Sequence, residues 1–373
     1  MSLTVCLAAN TLTYPEGGGH LWVYLNRALG LRALGCEVVW LEAVEPMTPI
    51  TEVPALAASL RGRLERYGLA ESVVLCRVDG EPLPGDFEDG GRAFEADLLL
   101  NLQYGLSEKI VRRFRRSALI DIDPGLLQFW VSGGHIELAR YDAYFTIGET
   151  VGQPGSRVPQ TGLNWQYTPP CVALDWWPAC PAPADAPFTT VSHWFEDEWV
   201  EDADGYYQND KRSGFLPFLE LPRRSRQPLE LALCLAEDEK EDRATLLQNG
   251  WRVRQSHTVT STPWGYQRYI QESRGEFSCV KPSCLRLANA WVSDRTLCYL
   301  ASGKPAVVQH TAPSRFLPDA AGLFRFRTLD EAALCLDTVA ADYDRQCRLA
   351  RALAEEFFDA RKVARRLLER ALD

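Results

Sequence analysis

Short apolar runs alternate along the chain with longer stretches in which apolar residues recur at helical spacing. The first run, 3–9, is followed by a turn-forming segment at 11–19. The stretch 20–35 then has the period of an amphipathic helix that ends at Gly35. A second apolar run occupies 36–43. Strand, glycine-rich loop, helix and strand in this order make a βαβ unit, which predicts a parallel sheet.

The same alternation continues through the first half of the chain. Apolar runs at 96–102 and 117–123 predict strands, and the run at 141–149 predicts the last strand of this half. Between them, the segment 107–116 has the pattern of a basic amphipathic helix.

The periodicity is lost between residues 151 and 188, where proline is frequent, and this stretch is the predicted linker. A second alternation follows and ends in a helical stretch from 329 to the C-terminus. The sequence therefore predicts an α/β fold with two doubly wound, Rossmann-like domains that face a central cleft. The predicted boundaries are 1–175 and 186–345, with a C-terminal helix at 346–373 that packs back towards the first domain. Ligands of such sheets bind beyond the carboxyl ends of the strands.

Charge and composition narrow the classes of partner. The 373 residues carry a net charge of −10, which opposes binding to nucleic acid. No apolar run reaches the length of a membrane span, and the N-terminus lacks the basic start of a signal peptide. The 11 cysteines form no C-x-x-C pair, which favours free thiols in a reducing cytoplasm. We therefore expect a cytoplasmic protein.

Two basic stretches, 112–116 and 361–366, leave peripheral contact with a membrane surface as an alternative. A solvent-facing stripe of charges is the favoured interpretation of both. The acidic run 194–205 lacks the spacing of a calcium loop and is interpreted as a solvated loop.

In the first half, three glycines precede the first predicted helix. Gly18 and Gly19 allow a ligand to approach the backbone, while His20 directly after them is a candidate general base. Trp22 is a candidate contact for a bound ligand. Glu42, at the end of the second strand, is placed near a ribose in a dinucleotide-binding protein, but the G-x-G-x-x-G fingerprint is missing. A tight turn and a solvent-facing histidine are the alternatives.

Two aspartates end the strand at 117–123. Asp121 and Asp123 alternate along it, so both are expected on one face of the sheet, ahead of the turn formers Pro124 and Gly125. Asp123 is a second candidate base or a partner of His20, and Asp121 a candidate acceptor for sugar hydroxyls. The alternatives are a capped turn and a pair of metal ligands.

In the second half, candidate residues for binding a nucleotide diphosphate lie on predicted loops and helix starts. Cations would neutralise a diphosphate, and a serine and an aspartate at a helix start would cap free amides or accept from a ribose. These candidates are Lys211, Glu276, Phe277, Lys281, Ser293, Asp294 and Arg295.

With these residues the chain resembles the GT-B glycosyltransferases. In that family a Glu-Gly-Phe-Gly type loop is followed by a helix that ends Glu-Ala-x-Ala-x-Gly-x-Pro-Val-Val. Glu276 and Phe277 resemble the first element, and residues 301–308, ASGKPAVV, resemble the last. The segment 14–42 is similar to the family's first βαβ unit. The phrases ALIDIDPG, YFTIGE and FTTVSHW resemble a bacterial group within the family.

The resemblance implies transfer of a sugar from a nucleotide-diphosphate donor, such as a uridine diphosphate sugar, to an acceptor hydroxyl or amine. It implies that the second domain holds the donor, the first domain holds the acceptor, and neither a metal nor another cofactor is needed. The acceptor is expected to be a small natural product or a glycan. One departure concerns the glutamate that binds the nucleotide ribose in retaining members, because Cys298 occupies that position here. Asp294, one helical turn earlier, is the expected replacement.

Three other functions remain open at this stage. A sugar-nucleotide epimerase shares the architecture and needs no acceptor. A nicotinamide-dependent oxidoreductase would carry the fingerprint that is missing here. A catalytically inactive sugar-nucleotide-binding protein would be consistent with Cys298.

Overall fold

A computed structural model describes residues 3–83, 90–183, 185–202, 205–236 and 239–373. The chain divides into two compact units. Unit 1 contains 1–152, 159–173 and 359–373, and unit 2 contains 153–158 and 174–358. Residues 346–358, which the sequence groups with the C-terminal helix, therefore lie in unit 2.

Unit 1 has one seven-stranded sheet in which every pair of neighbouring strands is parallel. Its strands are β1 (Thr4–Ala9), β2 (Glu37–Val44), β3 (Val73–Arg77), β4 (Leu98–Asn101), β5 (Ser117–Asp121), β6 (Ala143–Thr146) and β7 (Trp165–Tyr167). Its helices are α1 (Gly18–Ala33), α2 (Val53–Glu65), α3 (Glu108–Val111), α4 (Leu126–Ser132) and α14 (Ala360–Leu372). The spatial order 3-2-1-4-5-6-7 changes direction between β1 and β4, which is the switch point at which doubly wound sheets bind ligands.

Unit 2 has a six-stranded parallel sheet in the order β12-β11-β8-β13-β14-β15, with its switch point between β8 and β13. Those strands are β8 (Phe188–His193), β11 (Leu229–Cys234), β12 (Arg252–Gln255), β13 (Gly275–Ser278), β14 (Ala306–Gln309) and β15 (Leu323–Phe326). An antiparallel hairpin is formed by β9 (Trp199–Asp202) and β10 (Gly205–Gln208).

The helices of unit 2 connect these strands. They are α5 (Lys211–Phe215), α6 (Leu221–Arg224), α7 (Lys240–Gln248), α8 (Ser256–Thr260), α9 (Pro263–Glu272), α10 (Pro282–Arg286), α11 (Asp294–Ala301), α12 (Leu329–Ala341) and α13 (Tyr343–Phe357). The core between sheet and helices is aromatic, with Phe277 stacked on Phe326 at 5.1 Å between ring centroids and Phe215 packed edge-on against Phe277.

Close packing of α1 against α14 explains a glycine in the middle of α1. A Cβ at Gly30 would lie 2.7 Å from both Cβ and the carbonyl oxygen of Ala360. The helix forms because Leu21, Leu25 and Ala28 are buried along its face, and their packing offsets the cost of an interior glycine.

Three sequence-based expectations are corrected by the structure. The basic helix expected at 107–116 is limited to α3, because Leu99 N donates to Arg116 O and so joins the chain to the sheet already at 116. The strand expected to be the last of the first half, β6, is followed by β7 inside the predicted linker, where Trp165 packs edge-on against Tyr144. The C-terminal helix expected at 346–373 is divided between two helices, α13 and α14, which are separated at 358–359.

The acidic run 194–205 also differs from the expected loop. Residues Trp199–Asp202 form β9, and β9 pairs with β10. Asp204 lies outside the described residues.

Candidate functional site

The loop between β1 and α1 is shaped by Glu42 on the neighbouring strand β2. The Glu42 carboxylate is wholly buried and accepts from Thr11 N, from Thr11 Oγ1 over 2.7 Å, from Leu12 N over 2.9 Å and from Trp40 Nε1 over 2.9 Å. Burial raises the pKa of Glu42, and the four hydrogen bonds oppose that rise. Glu42 therefore holds the loop in place, and the ribose contact considered for it has no exposed atom to use.

His20 lies in the first turn of α1, beside this loop. Its Nε2 lies 2.9 Å from Asn10 O, and its ring contacts the rings of Tyr14 and Tyr24 edge-on at 5.0 and 5.2 Å. Because a carbonyl only accepts, Nε2 must carry the hydrogen. In the neutral ring the basic lone pair is then on Nδ1.

Asp121, the last residue of β5, and Asp123, just after the strand, have different environments. Asp123 is exposed and accepts from Tyr104 Oη over 2.5 Å. Asp121 is wholly buried, and burial raises its pKa to about 6 although Gln128 and Thr146 donate to it. Its other oxygen accepts from Asp123 N. Asp121 thus fixes the turn that presents Asp123, and its burial argues against the predicted direct contact with an acceptor.

None of the other predicted acceptor contacts, Gly18, Gly19 and Trp22, is exposed on the surface. Trp22 is 1% exposed and packs edge-on against Tyr67, so it belongs to the core and not to a binding surface. Gly18 is buried and Gly19 half-buried in the first turn of α1, where the helix begins after Gly17.

In unit 2, Lys211 begins α5 close to the switch point between β8 and β13. Its side chain is buried, Nζ donates to Cys279 O over 2.9 Å, and Nζ lies 5.6 Å from the ring centroid of Trp291. Burial, together with the charges of Arg295 and Lys281, lowers the pKa of Lys211 to about 8. Three predicted donor-binding cations are therefore near one another.

Lys281 and Arg295 differ from Lys211 because each is paired with carboxylates. Lys281 Nζ contacts Glu196 Oε2 and Glu198 Oε2, the latter at 2.9 Å. Arg295 Nε donates to Glu276 Oε1 over 2.9 Å, and Arg295 Nη1 donates to Val191 O. Among the described residues no carboxylate lies within ion-pair distance of Lys211.

The resemblance to a Glu-Gly-Phe-Gly loop suggested that Glu276 and Phe277 lie on a loop, but neither residue does. Both lie in β13, where Glu276 is wholly buried and Phe277 is 1% exposed in the aromatic core. Glu276 Oε2 has no hydrogen-bond partner in the described part of the chain. Glu276 therefore forms a buried ion pair with Arg295, and Phe277 is part of the core.

The loop that precedes α11 is the segment 287–293, which sequence reasoning missed. Ala288 and Ala290 adopt φ of 49° and 53°, a region that favours glycine and is costly for alanine. A glycine pattern, the usual signal for such a loop, is absent here. Backbone strain of this kind is concentrated at functional sites. The buried Nε1 of Trp291, on this loop, has no partner among the described residues.

Ser293 and Asp294 occupy the start of α11, as predicted. Ser293 is the N-cap, and its hydroxyl accepts from Arg295 N. Cys298 is buried one turn further on, and its Sγ donates to Asp294 O over 3.5 Å, so it faces the helix and not a ligand. Asp294 is half-buried and lies at the amino end of that helix.

Comparison with solved structures identifies the fold. An alpha-glucosyltransferase in complex with UDP superposes with a TM-score of 0.63 at 10% identity, covering 100% of both chains. Sucrose-phosphate synthase from Thermosynechococcus elongatus gives 0.55 at 12% identity, and Anabaena HepE in complex with UDP-glucose gives 0.56 at 11%; both comparisons cover 99% of each chain. The fold is that of the GT-B glycosyltransferases. The predicted fold class is thereby confirmed.

Comparison of sequences adds nothing to this assignment, since no protein-family model matches and no curated protein matches. Within the described ranges, no helix is long and apolar enough to cross a membrane. The same residues include no group of three or more His, Cys, Asp or Glu side chains placed to hold a metal ion.

Proposed function

We propose that this protein is a glycosyltransferase that takes its sugar from a nucleotide-diphosphate donor. The observation that carries the proposal is the set of three cations, Lys211, Lys281 and Arg295, that lie near one another at the switch point of a parallel sheet. Ligands of such sheets bind at this point, and cations there match the charge of a diphosphate. The GT-B fold of the chain supports the same proposal.

The donor is assigned to unit 2. Lys281 and Arg295 are paired with carboxylates, whereas no carboxylate among the described residues pairs with Lys211. Lys211 is therefore the strongest candidate to contact the diphosphate. The unpartnered Trp291 Nε1 provides a further hydrogen-bond donor close to it. Because several structural neighbours are complexes with UDP, we assign uridine diphosphate as the first nucleotide to test.

During transfer, the bond between the sugar and the diphosphate breaks, and negative charge develops on the leaving diphosphate. Preorganised cations and N–H groups stabilise such charge, which is the role assigned to Lys211 and its neighbours. The acceptor hydroxyl is assigned to unit 1, where His20 Nδ1 or the Asp123 carboxylate takes its proton. This scheme needs no metal ion, and we expect turnover to persist in EDTA.

Thermal melting with a panel of nucleotides tests the donor assignment. The panel contains UDP, TDP, GDP and ADP, and the variants are Lys211→Met and, as a matched control, Lys240→Met at an exposed lysine of the same unit. A nucleotide at one hundred times its dissociation constant stabilises the wild type by about 2.7 kcal/mol. The Lys240→Met protein should keep this shift and Lys211→Met should lose most of it. No shift with any nucleotide at millimolar concentration would exclude the donor site.

A second assay distinguishes transfer from epimerisation. The preferred sugar nucleotide is incubated without and with a library of acceptor alcohols and amines, in EDTA, and the products are identified by mass spectrometry and NMR. A glycosylated acceptor supports the proposal. An isomeric sugar formed without an acceptor identifies an epimerase, and nucleotide binding with neither product identifies an inactive binding protein.

A further inference from the structure

The two basic stretches of the sequence, 112–116 and 361–366, meet on the surface of unit 1. Arg116 Nη2 donates to Leu372 O over 3.0 Å, so the end of α14 lies beside the first stretch. Together, 112–116 and 361–373 contain nine Lys and Arg residues and two acidic residues, in a chain whose net charge is −10. Positive charge is therefore concentrated here, and the exposed side chains of 112–116 and 361–366 are called the basic face below.

Helix α14 contributes four cations to the basic face. Its buried side includes Val363, Ala364 and Leu367, and its opposite side is exposed. The exposed cations are Arg361, Lys362, Arg365 and Arg366. Their spacing of one, four and five positions from the first places them along one side of the helix. Arg361 pairs with Asp359 at 3.6 Å, whereas no carboxylate of the described residues lies within ion-pair distance of Arg365 or Arg366.

The first stretch contributes further exposed arginines. Arg112 pairs with Glu108 at 2.8 Å, and Arg113 lies over the ring of Phe94, 3.4 Å from its centroid. Arg115 is exposed, and no carboxylate in the described part of the chain lies within ion-pair distance of it. Several cations of the basic face therefore keep their charge available to a partner.

The basic face lies away from the edge of the sheet that binds ligands. Arg116 directly precedes β5, so the first stretch is at the amino end of that strand. Ligands of parallel sheets bind beyond the carboxyl ends of the strands, where His20 and Asp123 follow β1 and β5. The basic face is therefore separate from the acceptor site proposed in unit 1.

The chemistry of the basic face fits a surface of anionic lipids. Attraction between exposed charges extends about 10 Å at 0.1 M salt, so the local charge of this face counts and not the net charge of the chain. Clusters of about four to eight Lys and Arg residues on an amphipathic helix are typical of proteins that bind anionic lipids. Leu372, 39% exposed at the end of α14, adds an apolar side chain at the same place.

The basic face fits two other classes of partner less well. Proteins that bind single-stranded nucleic acid stack bases on aromatic side chains, but Phe114, the aromatic residue of the two stretches, is 7% exposed. Stable protein interfaces have an apolar and aromatic core, whereas the exposed residues of 112–116 and 361–366 are arginine and lysine.

We propose that the basic face docks unit 1 on a membrane surface that carries anionic phospholipid headgroups. Arg365 and Arg366 contact the headgroup phosphates, and the stretch 112–116 makes the second contact. Docking of this kind is electrostatic, so salt weakens it. The proposal goes beyond the proposed function and does not depend on it, since it concerns where the protein is held and not what it transfers.

Co-sedimentation of the full chain with vesicles tests the proposal. The vesicles contain phosphatidylcholine alone or phosphatidylcholine with phosphatidylserine, and the salt is about 0.1 M or about 1 M, where screening shortens the range of attraction to about 3 Å. The wild type should bind only the vesicles with phosphatidylserine, and only at the lower salt. Each Lys or Arg near such a surface strengthens binding by about fivefold. Arg365→Gln combined with Arg366→Gln should therefore weaken binding by about 25-fold, and Arg115→Gln by about fivefold.

The matched control is Arg345→Gln combined with Arg348→Gln, which removes the same charge from exposed arginines of α13 in unit 2. The control should bind vesicles as the wild type does, and every variant should keep the wild-type Tm because each substituted residue is exposed. An equal loss in the control, wild-type binding by Arg115→Gln, or no binding of the wild type to phosphatidylserine vesicles would overturn the proposal.

Duplex DNA is titrated in parallel by fluorescence anisotropy at the lower salt. We expect it to bind more weakly than the phosphatidylserine vesicles. DNA binding in place of vesicle binding, lost when Arg365 and Arg366 are replaced by glutamine, would overturn the membrane proposal and identify a nucleic acid as the partner of the basic face.

Discussion

Lys211 Nζ donates to the main-chain carbonyl of Cys279 over 2.9 Å, and this bond joins the start of α5 to the carboxyl end of β13. The strands β8 and β13 flank the switch point of unit 2; Cys279 directly follows β13, and α5 comes after β8 and the β9–β10 hairpin. A buried amine is therefore held at the place where such sheets bind ligands, with one neutral partner and two cations as neighbours.

The first prediction concerns pH and donor binding. Because the pKa of Lys211 in the free protein is about 8, the amine loses its charge as the pH rises through 8. UDP affinity should then fall by up to about tenfold per pH unit, as expected when one proton is linked to binding. Isothermal titration between pH 7 and 9.5 measures this slope. Lys211→Met should bind weakly with no such slope, and the same slope in that variant would show that another group is responsible.

Lys211 affects folding stability in the opposite direction: its contribution rises with pH, whereas UDP affinity falls. An unfolded lysine keeps its proton until about pH 10.4, while folded Lys211 releases it near 8. Between these values the unfolded state binds more protons, so the contribution of Lys211 to the free energy of unfolding increases with pH. Denaturant unfolding of wild type and Lys211→Met at pH 8 and 10 should therefore diverge in favour of the wild type at pH 10.

The second prediction concerns the carboxylates on Lys281. Glu196 and Glu198 both contact Lys281 Nζ, and Glu198 also accepts from Asn209 Nδ2. A bound diphosphate must share this lysine with them. Glu196→Gln removes one negative charge and should strengthen UDP binding by about twofold to fivefold, the range for partly exposed ion pairs. Glu201→Gln, on the exposed side of the hairpin, is the control and should leave the affinity unchanged. Weaker binding by Glu196→Gln would mean that Glu196 supports the donor.

The third prediction concerns the buried Asp121. Its carboxylate accepts from Asp123 N, Gln128 Nε2 and Thr146 Oγ1. Asp121→Asn points an amide N–H at one of these donors and should lower the free energy of unfolding at pH 7 by about 1–3 kcal/mol. Asp123→Asn is the matched control, because Asp123 is exposed, and should cost far less. Denaturant unfolding at pH 7 measures both, and an unchanged Asp121→Asn protein would show that water satisfies the site.

The contribution of Asp121 to folding stability depends on pH, because its pKa is about 6 in the folded protein and about 3.9 in an unfolded chain. Between pH 4 and 6 the folded state binds more protons, so the contribution of Asp121 to stability is present below 4 and is lost as the pH rises through 6. The Asn variant should lack this part of the pH profile.

The sequence predicted the fold because both sheets are buried and parallel, and such strands are recognisable as short apolar runs between amphipathic helices. Local rules failed where tertiary contacts decided the structure. Strand β7 is three residues long in a proline-rich segment, and only its pairing with β6 and the contact of Trp165 with Tyr144 make it a strand. The basic helix ended early because the sheet required an extended chain at Arg116.

The candidate site was predictable in part for similar reasons. Lys211, Arg295 and Ser293 follow strands or begin helices, and these positions were visible in the pattern. Trp22 and Phe277 were misassigned because an aromatic residue has the same sequence signal on a binding surface and in a core. The loop 287–293 was missed because alanine, not glycine, occupies its two left-handed positions.

The last prediction concerns the group that takes the acceptor proton. His20 Nε2 is hydrogen-bonded to Asn10 O, which leaves Nδ1 as the basic atom, while Asp123 is held by the Tyr104 hydroxyl. His20→Ala removes the imidazole, and we expect turnover to fall by about 10²–10⁴-fold, the usual contribution of a positioned base. UDP affinity should not change, because His20 is in unit 1 and the donor residues are in unit 2.

Three further variants separate the roles of these groups. His135→Ala, at an exposed histidine of unit 1, is the control and should keep wild-type turnover. Asp123→Asn tests the carboxylate, and Tyr104→Phe tests whether the phenol positions it. If Asp123 is the base, turnover of Asp123→Asn should fall by about 10²–10⁴-fold, and that of Tyr104→Phe should fall less. Initial rates and UDP titrations are measured on the same preparations, so that loss of chemistry and loss of binding are separated. Near-normal turnover in both His20→Ala and Asp123→Asn would mean that neither residue takes the proton, as in a retaining reaction in which the leaving diphosphate accepts it.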